Sequence, residues 1–405
     1  MRFVARQPIL DRLQRTFGYE LLFRSGLEKA FIAGDHDLAS RTTIDTSLLM
    51  GVDVLCDQGR AFVNCTRDVL VKGYLLLLPA QRTVAEVLES VEPDEEVNIA
   101  CQKLKRAGYL IALDDFVPQG RQEPLVALAD IIKLDLRQLS LQTCQKAIVQ
   151  YQTSGCRMLA EKIETQAEFR AARQMGFDLF QGFFFEKPQT LSSHEVPSLK
   201  VNYLSMLQAV HRPVLDYGEL ERFIKAEASL CYRLLRYLNS AAFAFSTEIR
   251  GVRHALAMLG ERQIRRWFSL VAFVGAGQDK ARELVVAALV RGHFCESLGN
   301  YFHDTKADLF LFGLFSLMDA LLDMPMPEVL AKVPVASDMK NALLRHDSQQ
   351  KLVRLLDLVA ALETGKWDDF SRFCSALRLD EGRTSEKYFH SLQHVENITR
   401  EFALC

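Results

Sequence analysis

Through the first half of the chain, short apolar runs end in polar or acidic residues and alternate with helix-like segments. Gly18–Arg24 has period two, setting Tyr19, Leu21 and Phe23 on one face and Glu20, Leu22 and Arg24 on the other. Ala61–Thr66, Thr83–Glu89, Tyr109–Asp114, Ile131–Asp135, Arg157–Glu161 and Leu179–Phe185 read as further strands. Between them, Pro93–Glu96 opens a helix with Pro early and acids in its first turn. Val97, Ala100 and Leu104 face inward, Lys103, Lys105 and Arg106 fill the last turn, and Gly108 stops it. A second helix is predicted over Leu139–Thr153, and a third starts at the capping box Thr165–Glu168 and closes at Gly176. Strands that recur every ~20–30 residues with helices between them predict parallel β/α crossovers. The architecture expected is a (β/α) barrel, whose functional residues sit at the C-terminal ends of the strands.

From about Lys200 the strand signals vanish. Amphipathic helical patterns take over, as in Leu230–Leu238, Arg253–Leu259 and Leu284–Leu298, so this half reads all-α. Leu191–Ser198 is polar and contains Pro197, which marks a linker. The expected organisation is a barrel over 1–190, a linker over 191–199 and an all-α domain over 200–405, packed together because the linker is short.

Composition adds limits. The 405 residues suffice for two or three domains with full-sized cores. With 49% hydrophobic and 25% charged residues, the chain is an ordinary globular one. A formal net charge of -2 provides no basic field for nucleic acid. No run of ~18 apolar residues offers a membrane span. Met1–Arg6 is broken by charge, so no signal peptide is expected. The 9 Cys are scattered, none in a C-x-x-C pair, which suits reduced core thiols in a cytoplasmic protein.

The candidate chemistry is at the strand ends. Ile111-Ala112-Leu113 runs straight into Asp114-Asp115, and adjacent carboxylates repel unless a cation or proton lies between them. Glu20 and Arg24 on one strand face fit a salt bridge, or a metal ligand beside a phosphate clamp. A single carboxylate leaving a strand usually caps a helix or pairs with a surface Lys. Accumulation changes the reading: Glu20, Asn64, Glu86, Asp114, Asp115, Glu161 and Glu164, with Lys133 and Gln181, fall at comparable points in successive units. Oxygen-rich sets suit Mg²⁺ or Mn²⁺, and two such ions can activate water against a phosphodiester.

Seven motifs then carry a resemblance. Glu20-Leu21-Leu22-Phe23-Arg24 is similar to the E-x-L-x-R signature of EAL-domain cyclic-di-GMP phosphodiesterases. Val63–Thr66, Glu86–Glu89, Leu113–Phe116, Lys133–Asp135, Ala160–Glu164 and Gln181–Phe183 follow in the family's order, so the resemblance spans about residues 2 to 190. It implies two Mg²⁺ or Mn²⁺ ions held by Glu20, Asn64, Glu86, Asp114 and Asp115, with Asp115 bridging. It implies that Lys133 and Glu161 engage the second ion and the attacking water. It further implies that Arg24, Leu22 and Gln181 line the ligand site, that Glu89 and Glu164 brace the loop after the Asp pair, and that the chain can form a homodimer. That loop departs from the family's D-D-F-G-x-G: here Val117-Pro118 follows Phe116, and Val is poorly suited to φ > 0.

The helical half resembles the HDOD domain, on Leu230–Ala241, Ile249–Gly260 and Arg265-Arg266-Trp267. Where the related HD-type hydrolases carry His-Asp, this chain has Gly313-Leu314-Phe315-Ser316-Leu317, and Ser and Leu cannot replace those ligands. His36-Asp37, His303-Asp304 and His346-Asp347 sit in polar, loop-like contexts. The helical half is therefore expected to scaffold or sense, taking an unidentified protein partner; Arg236, Asn239 and the cluster Arg262, Arg265, Arg266 are candidate contacts or an ordinary solvated face. Three functions follow: metal-dependent hydrolysis of cyclic-di-GMP, binding of it without turnover, or a purely structural module. The complete ligand set favours the first.

Overall fold

The computed structural model describes residues 2–25, 44, 51–187, 198–226, 230, 234, 252–277, 279–305, 307–347 and 350–401. Its first half is a closed eight-stranded barrel: β1 (Arg2–Asp11), β2 (Thr16–Ser25), β3 (Arg60–Cys65), β4 (Thr83–Val87), β5 (Leu110–Leu113), β6 (Ile131–Asp135), β7 (Arg157–Glu161) and β8 (Leu179–Gln181). From β2 to β8 neighbours run parallel, as the β/α spacing predicts. β1 corrects that picture. It runs antiparallel to both β2 and β8, joined to β2 by a turn in which Asp11 accepts from Gln14 and donates its N–H to Arg15. Arg6, Gln7 and Pro8 break its apolar pattern, so period alone does not reveal it as a strand.

The barrel helices are α1 (Val52–Cys56), α2 (Arg67–Lys72), α3 (Glu95–Arg106), α4 (Leu141–Gln152) and α5 (Gln166–Met175). Their starts follow the sequence closely. Asp94 caps α3 by accepting from Val97 N at 2.9 Å, and Thr165 and Glu168 form the expected capping box on α5. β8 is shorter than its apolar run. Gly182, at φ 144, bends the chain away against β7's exit, where a Cβ would lie 2.0 Å from Ile163 O.

Strand alternation stacks the barrel interior in two layers. Ile9, Phe62, Val84, Ala112, Ile131, Leu159 and Leu179 form an apolar plug separate from the main core. Two residues on from these toward the same rim are Asn64, Glu86, Asp114 just past β5, Lys133, Glu161 and Gln181, with Gln7 two residues before Ile9 on the antiparallel β1; on β2, Gly18 leads likewise to Glu20. A dry lower layer thus supports a polar ring at the C-terminal face.

The second half is helical: α6 (Ser198–Val210), α7 (Tyr217–Ala226), α8 (Val252–Ala276, broken at Gly260), α9 (Arg282–Ser297), α10 (Leu309–Phe315), α11 (Met318–Leu322), α12 (Met326–Lys332), α13 (Ser337–Leu343), α14 (Lys351–Glu363), α15 (Trp367–Leu377) and α16 (Glu381–Glu401). α9 is buried on nearly every side, so the amphipathic reading of Leu284–Leu298 is corrected to a central helix. The packing of α9 against α10 is close because Gly313 lets them touch; a Cβ there would lie 2.3 Å from Arg291 O.

β1 and β2 carry the helical half. α14 and α16 pack along β1. Arg6 donates to Glu396 at 2.6 Å and to Leu55 O at 2.6 Å, and Glu283 accepts from Thr16 at 2.7 Å and Tyr19 at 2.8 Å. Arg282 pairs with Asp57 at 3.1 Å. The two halves are packed together. Seven cysteines are described, all buried and unpaired. No described helix is long and apolar enough to cross a membrane.

Candidate metal centre

Lys133 stands at the middle of the polar ring. β6 delivers it inward from a strand buried along its whole length, and its side chain is 1% exposed. Its ammonium donates to Glu86 in a short contact, to Asp114 Oδ1 at 2.7 Å and to Glu161 Oε1 at 2.8 Å, and lies 3.6 Å from Glu20 Oε2. Gln181 Nε2 donates to Glu20 Oε2 at 2.5 Å and to Gln7 Oε1 at 2.9 Å. Asn64 Nδ2 lies 3.5 Å from Glu20 Oε1. Of the residues the spacing selects, Glu20, Asn64, Glu86, Asp114, Lys133, Glu161 and Gln181 are brought together, Asp115 adjoins them, and Glu164 stands outside on the surface. Gln7 is the member sequence reasoning missed, because its strand was not visible.

Four carboxylates around one ammonium leave an excess of negative charge. Burial pushes the Glu161 carboxyl up to about 7, against the pull of Lys133, and pushes Glu86 well above the usual carboxylate range. Burial alone lowers the Lys133 ammonium, but the surrounding carboxylates outweigh it and hold its pKa well above ordinary. Asn64 Oδ1, Glu86 Oε2, Glu161 Oε2 and Gln181 Oε1 are buried and have no hydrogen-bond partner. Leaving such acceptors dry costs ~1–3 kcal/mol each. They are hard oxygens, the donor type that Mg²⁺ or Mn²⁺ takes.

Asp115 opens an adjoining position. Its backbone has φ 40, which turns it out of the ring while Asp114 stays in. Oxygens of Glu89, Asp114 and Asp115 come within 4.8 Å of one another, close enough to hold one cation. Glu89, assigned from the resemblance to the following loop, therefore stands with the Asp pair. Lys162, also left-handed at φ 57, reaches Asp135 Oδ2 at 2.6 Å and Asp115 Oδ1 at 3.4 Å.

The loop after Phe116 holds itself. Phe116 is buried edge-on to Tyr151, and Phe116 N donates to Lys133 O at 3.0 Å. Gln122 Nε2 donates to Val87 O and Leu88 O, and Glu123 accepts from Gln119 N and Tyr151 OH. The strain expected at Val117 is not there; the left-handed residues are Asp115 and Gln119. Glu164 pairs instead with Arg137 at 2.5 Å and Lys187 at 3.7 Å. Leu22 is half-buried beside Gly365. Arg24, next to last in β2, pairs with Phe3, and its side chain lies outside the described ones.

In the helical half the His-Asp pairs form no metal cluster among the described residues. Asp304 pairs with Lys351 at 3.0 Å, His346-Asp347 is exposed, and His36-Asp37 lies outside the described residues, as do Arg236 and Asn239. Arg266 pairs with Glu296 at 2.6 Å, Arg265 grips Arg212 O at 2.8 Å, and Trp267 is buried. Arg262 is 3.9 Å from Glu296. Arg265 and Arg266 tie helices together, whereas Arg262 stays largely exposed.

Comparison with known proteins agrees with both halves. The EAL domain family matches residues 74–188 and the HDOD domain family residues 196–355. Cyclic di-GMP phosphodiesterase CdgJ of Vibrio cholerae is 33% identical over 404 residues, covering 98% of this chain and 93% of that protein. YuxH of Bacillus subtilis is 31% identical over 408 residues, covering 98% of each. A solved Klebsiella pneumoniae BlrP1 calcium/cy-diGMP complex is 20% identical with a TM-score of 0.39, over 46% of this chain and 55% of that one.

Proposed function

The chain belongs to the family of two-domain EAL–HDOD proteins, and from that premise we propose that it hydrolyses cyclic-di-GMP to the linear dinucleotide pGpG in the barrel. In this reading the barrel domain spans residues 1–190, the linker 191–199 and a non-catalytic helical domain 200–405. The observation that carries the reading is the set of four buried, unpartnered oxygens on Asn64, Glu86, Glu161 and Gln181 around Lys133. Glu20, Asn64, Glu86, Asp114 and Asp115 would hold two Mg²⁺ or Mn²⁺ ions, which when bound would supply charge stabilisation at the phosphodiester and lower the pKa of bound water.

The chain's own residues do the rest. Lys133 keeps Glu86, Asp114 and Glu161 pointed at one another and offsets part of their charge. Glu161, with its carboxyl near neutrality, takes the proton of the attacking water as oxygen bonds to phosphorus. The P–O3′ bond breaks, the departing 3′ oxygen takes a proton from solvent to leave as a hydroxyl, and the phosphate stays on the 5′ side. Gln181 holds Glu20 and borders the ligand with Leu22, and Arg24 meets a ligand phosphate. The apolar plug beneath seals the floor.

The direct experiment incubates the purified chain with cyclic-di-GMP and Mn²⁺ or Mg²⁺ and resolves the products, with Glu20→Ala as control. Linear product that vanishes in the variant supports the hydrolase. A receptor without turnover is the second reading, favoured by the Lys162 ammonium on Asp115; tight binding without product selects it. No binding at all sinks both.

A further inference from the structure

We propose that the turn between α14 and α15, Thr364–Lys366, forms one wall of the dinucleotide site, so that the helical half contributes to ligand binding in the barrel. The inference rests on the cyclic-di-GMP reading above. Leu22 lies two residues beyond Glu20 on the same side of β2, at the edge of the polar ring. Gly365 sits directly on it: an added Cβ would be 3.0 Å from Leu22 Cδ1 and 3.4 Å from its Cβ. The turn is tight. Gly365 is left-handed at φ 65, Lys366 N donates to Ala361 O at 2.9 Å and Trp367 N donates to Gly365 O at 3.0 Å.

A single guanidinium fixes this turn to the ring from a second direction. Arg291 on α9 donates to both oxygens of Glu363, the last residue of α14, at 2.8 and 2.6 Å. It also donates to Glu186 at 2.6 Å, five residues after Gln181. Gln181 and Glu20 are themselves hydrogen-bonded. The helical half therefore contacts both strands that flank β1, β2 through Leu22 and β8 through Glu186 in the turn that follows it. Arg291 Nη1 further reaches Ser316 at 3.3 Å, in the segment that stands where HD-type hydrolases keep His-Asp. Arg291 is thus a positioning residue, linking the helical core to the mouth.

The turn also has chemistry suited to a cyclic dinucleotide. Lys366 is exposed and cationic, and Trp367 beside it is half-buried and aromatic. A cation suits the ligand's phosphates and an aromatic face suits its bases.

The test uses the full chain with Mn²⁺ and cyclic-di-GMP. Gly365→Asn keeps a residue that tolerates left-handed backbone while adding bulk against Leu22; Lys366→Glu reverses an exposed charge and leaves packing alone. Both are expected to raise KM, or Kd if the chain binds without turnover, by roughly fivefold, with kcat within about twofold. Melting temperature and Mn²⁺ affinity are expected to stay at wild-type values. Hydrolysis or binding by the wild type with KM or Kd unchanged in both variants overturns the wall and leaves the hydrolase reading standing. Absence of any cyclic-di-GMP binding by the wild type overturns the two together.

Discussion

Lys133 in the barrel and Arg291 between the halves are both buried cations among carboxylates, yet they stand in opposite electrostatic conditions. Lys133 faces Glu20, Glu86, Asp114 and Glu161, and buried oxygens around it remain without partners. Arg291 faces Glu186, Glu363 and Ser316, and none of these retains an unsatisfied buried oxygen. Burial and a perturbed carboxyl do not tell them apart, since burial pushes Glu186 up to about 7 just as it does Glu161. Leftover acceptors do. A structural pair is complete within the protein, whereas a binding site is completed by what it binds.

The comparison breaks first at activity. Under the proposed hydrolase reading, in which Glu20 is a metal ligand, Glu20→Ala is expected to lower hydrolysis by more than ~100-fold, beyond the ~10–100-fold cost of losing an outer partner. Product analysis at saturating Mn²⁺ reads it, and activity near wild type refutes the ring as the site. Next comes stability. Lys133→Met and Arg291→Met each leave buried carboxylates unanswered, at ~3–5 kcal/mol by denaturant unfolding. Mn²⁺ is expected to recover much of the Lys133→Met loss and none of the Arg291→Met loss; equal recovery in both variants removes the distinction.

A third prediction uses pH. Burial lowers His211 to about 4, with Arg265 adding to it, while its ring holds Ser269 at 3.0 Å. The unfolded chain takes up that proton near the ordinary value of about 6.5, so the stabilisation is present above it and is lost as pH falls toward 4. The wild type should lose up to ~3 kcal/mol relative to His211→Gln between pH 7 and pH 4, read as the difference of unfolding midpoints. Identical pH profiles for the two proteins contradict a buried neutral His211. The smallest effect sharpens the barrel itself. Lys162 is half-exposed, so its pairing with Asp115 is worth ~0.2–1 kcal/mol. Lys162→Ala should tighten Mn²⁺ binding by roughly two- to fivefold in a titration; unchanged or weaker binding means that Lys162 does not compete for Asp115.

Much of the site was legible because strand chemistry is local. A residue two places beyond an inward apolar one also points inward, so Asn64, Glu86, Asp114, Lys133, Glu161 and Gln181 could be picked out from spacing alone. Gln7 could not, since Pro8 and Arg6 hide its strand, and an antiparallel first strand carries no β/α spacing to betray it. The loop after Phe116 looked strained in sequence because Val117 cannot easily turn left-handed. In the fold the turn is carried by Asp115 and Gln119, and Gln122 and Glu123 hold it. Likewise Arg265 and Arg266 read as a surface patch, but only packing shows that they are spent on Arg212, Glu261 and Glu296.

The sequence by itself determined the two architectures, the boundary signals of the helices and the identity of most ring residues, because each depends on periodicity and caps within a few positions. Tertiary structure alone decided that Lys133 fills the centre of the ring, that Glu89 joins the Asp pair, and that the helical half stands on Leu22 and Glu186. Those outcomes depend on contacts between residues up to hundreds of positions apart, where closure of the barrel and burial of charge, not local preference, select the partner.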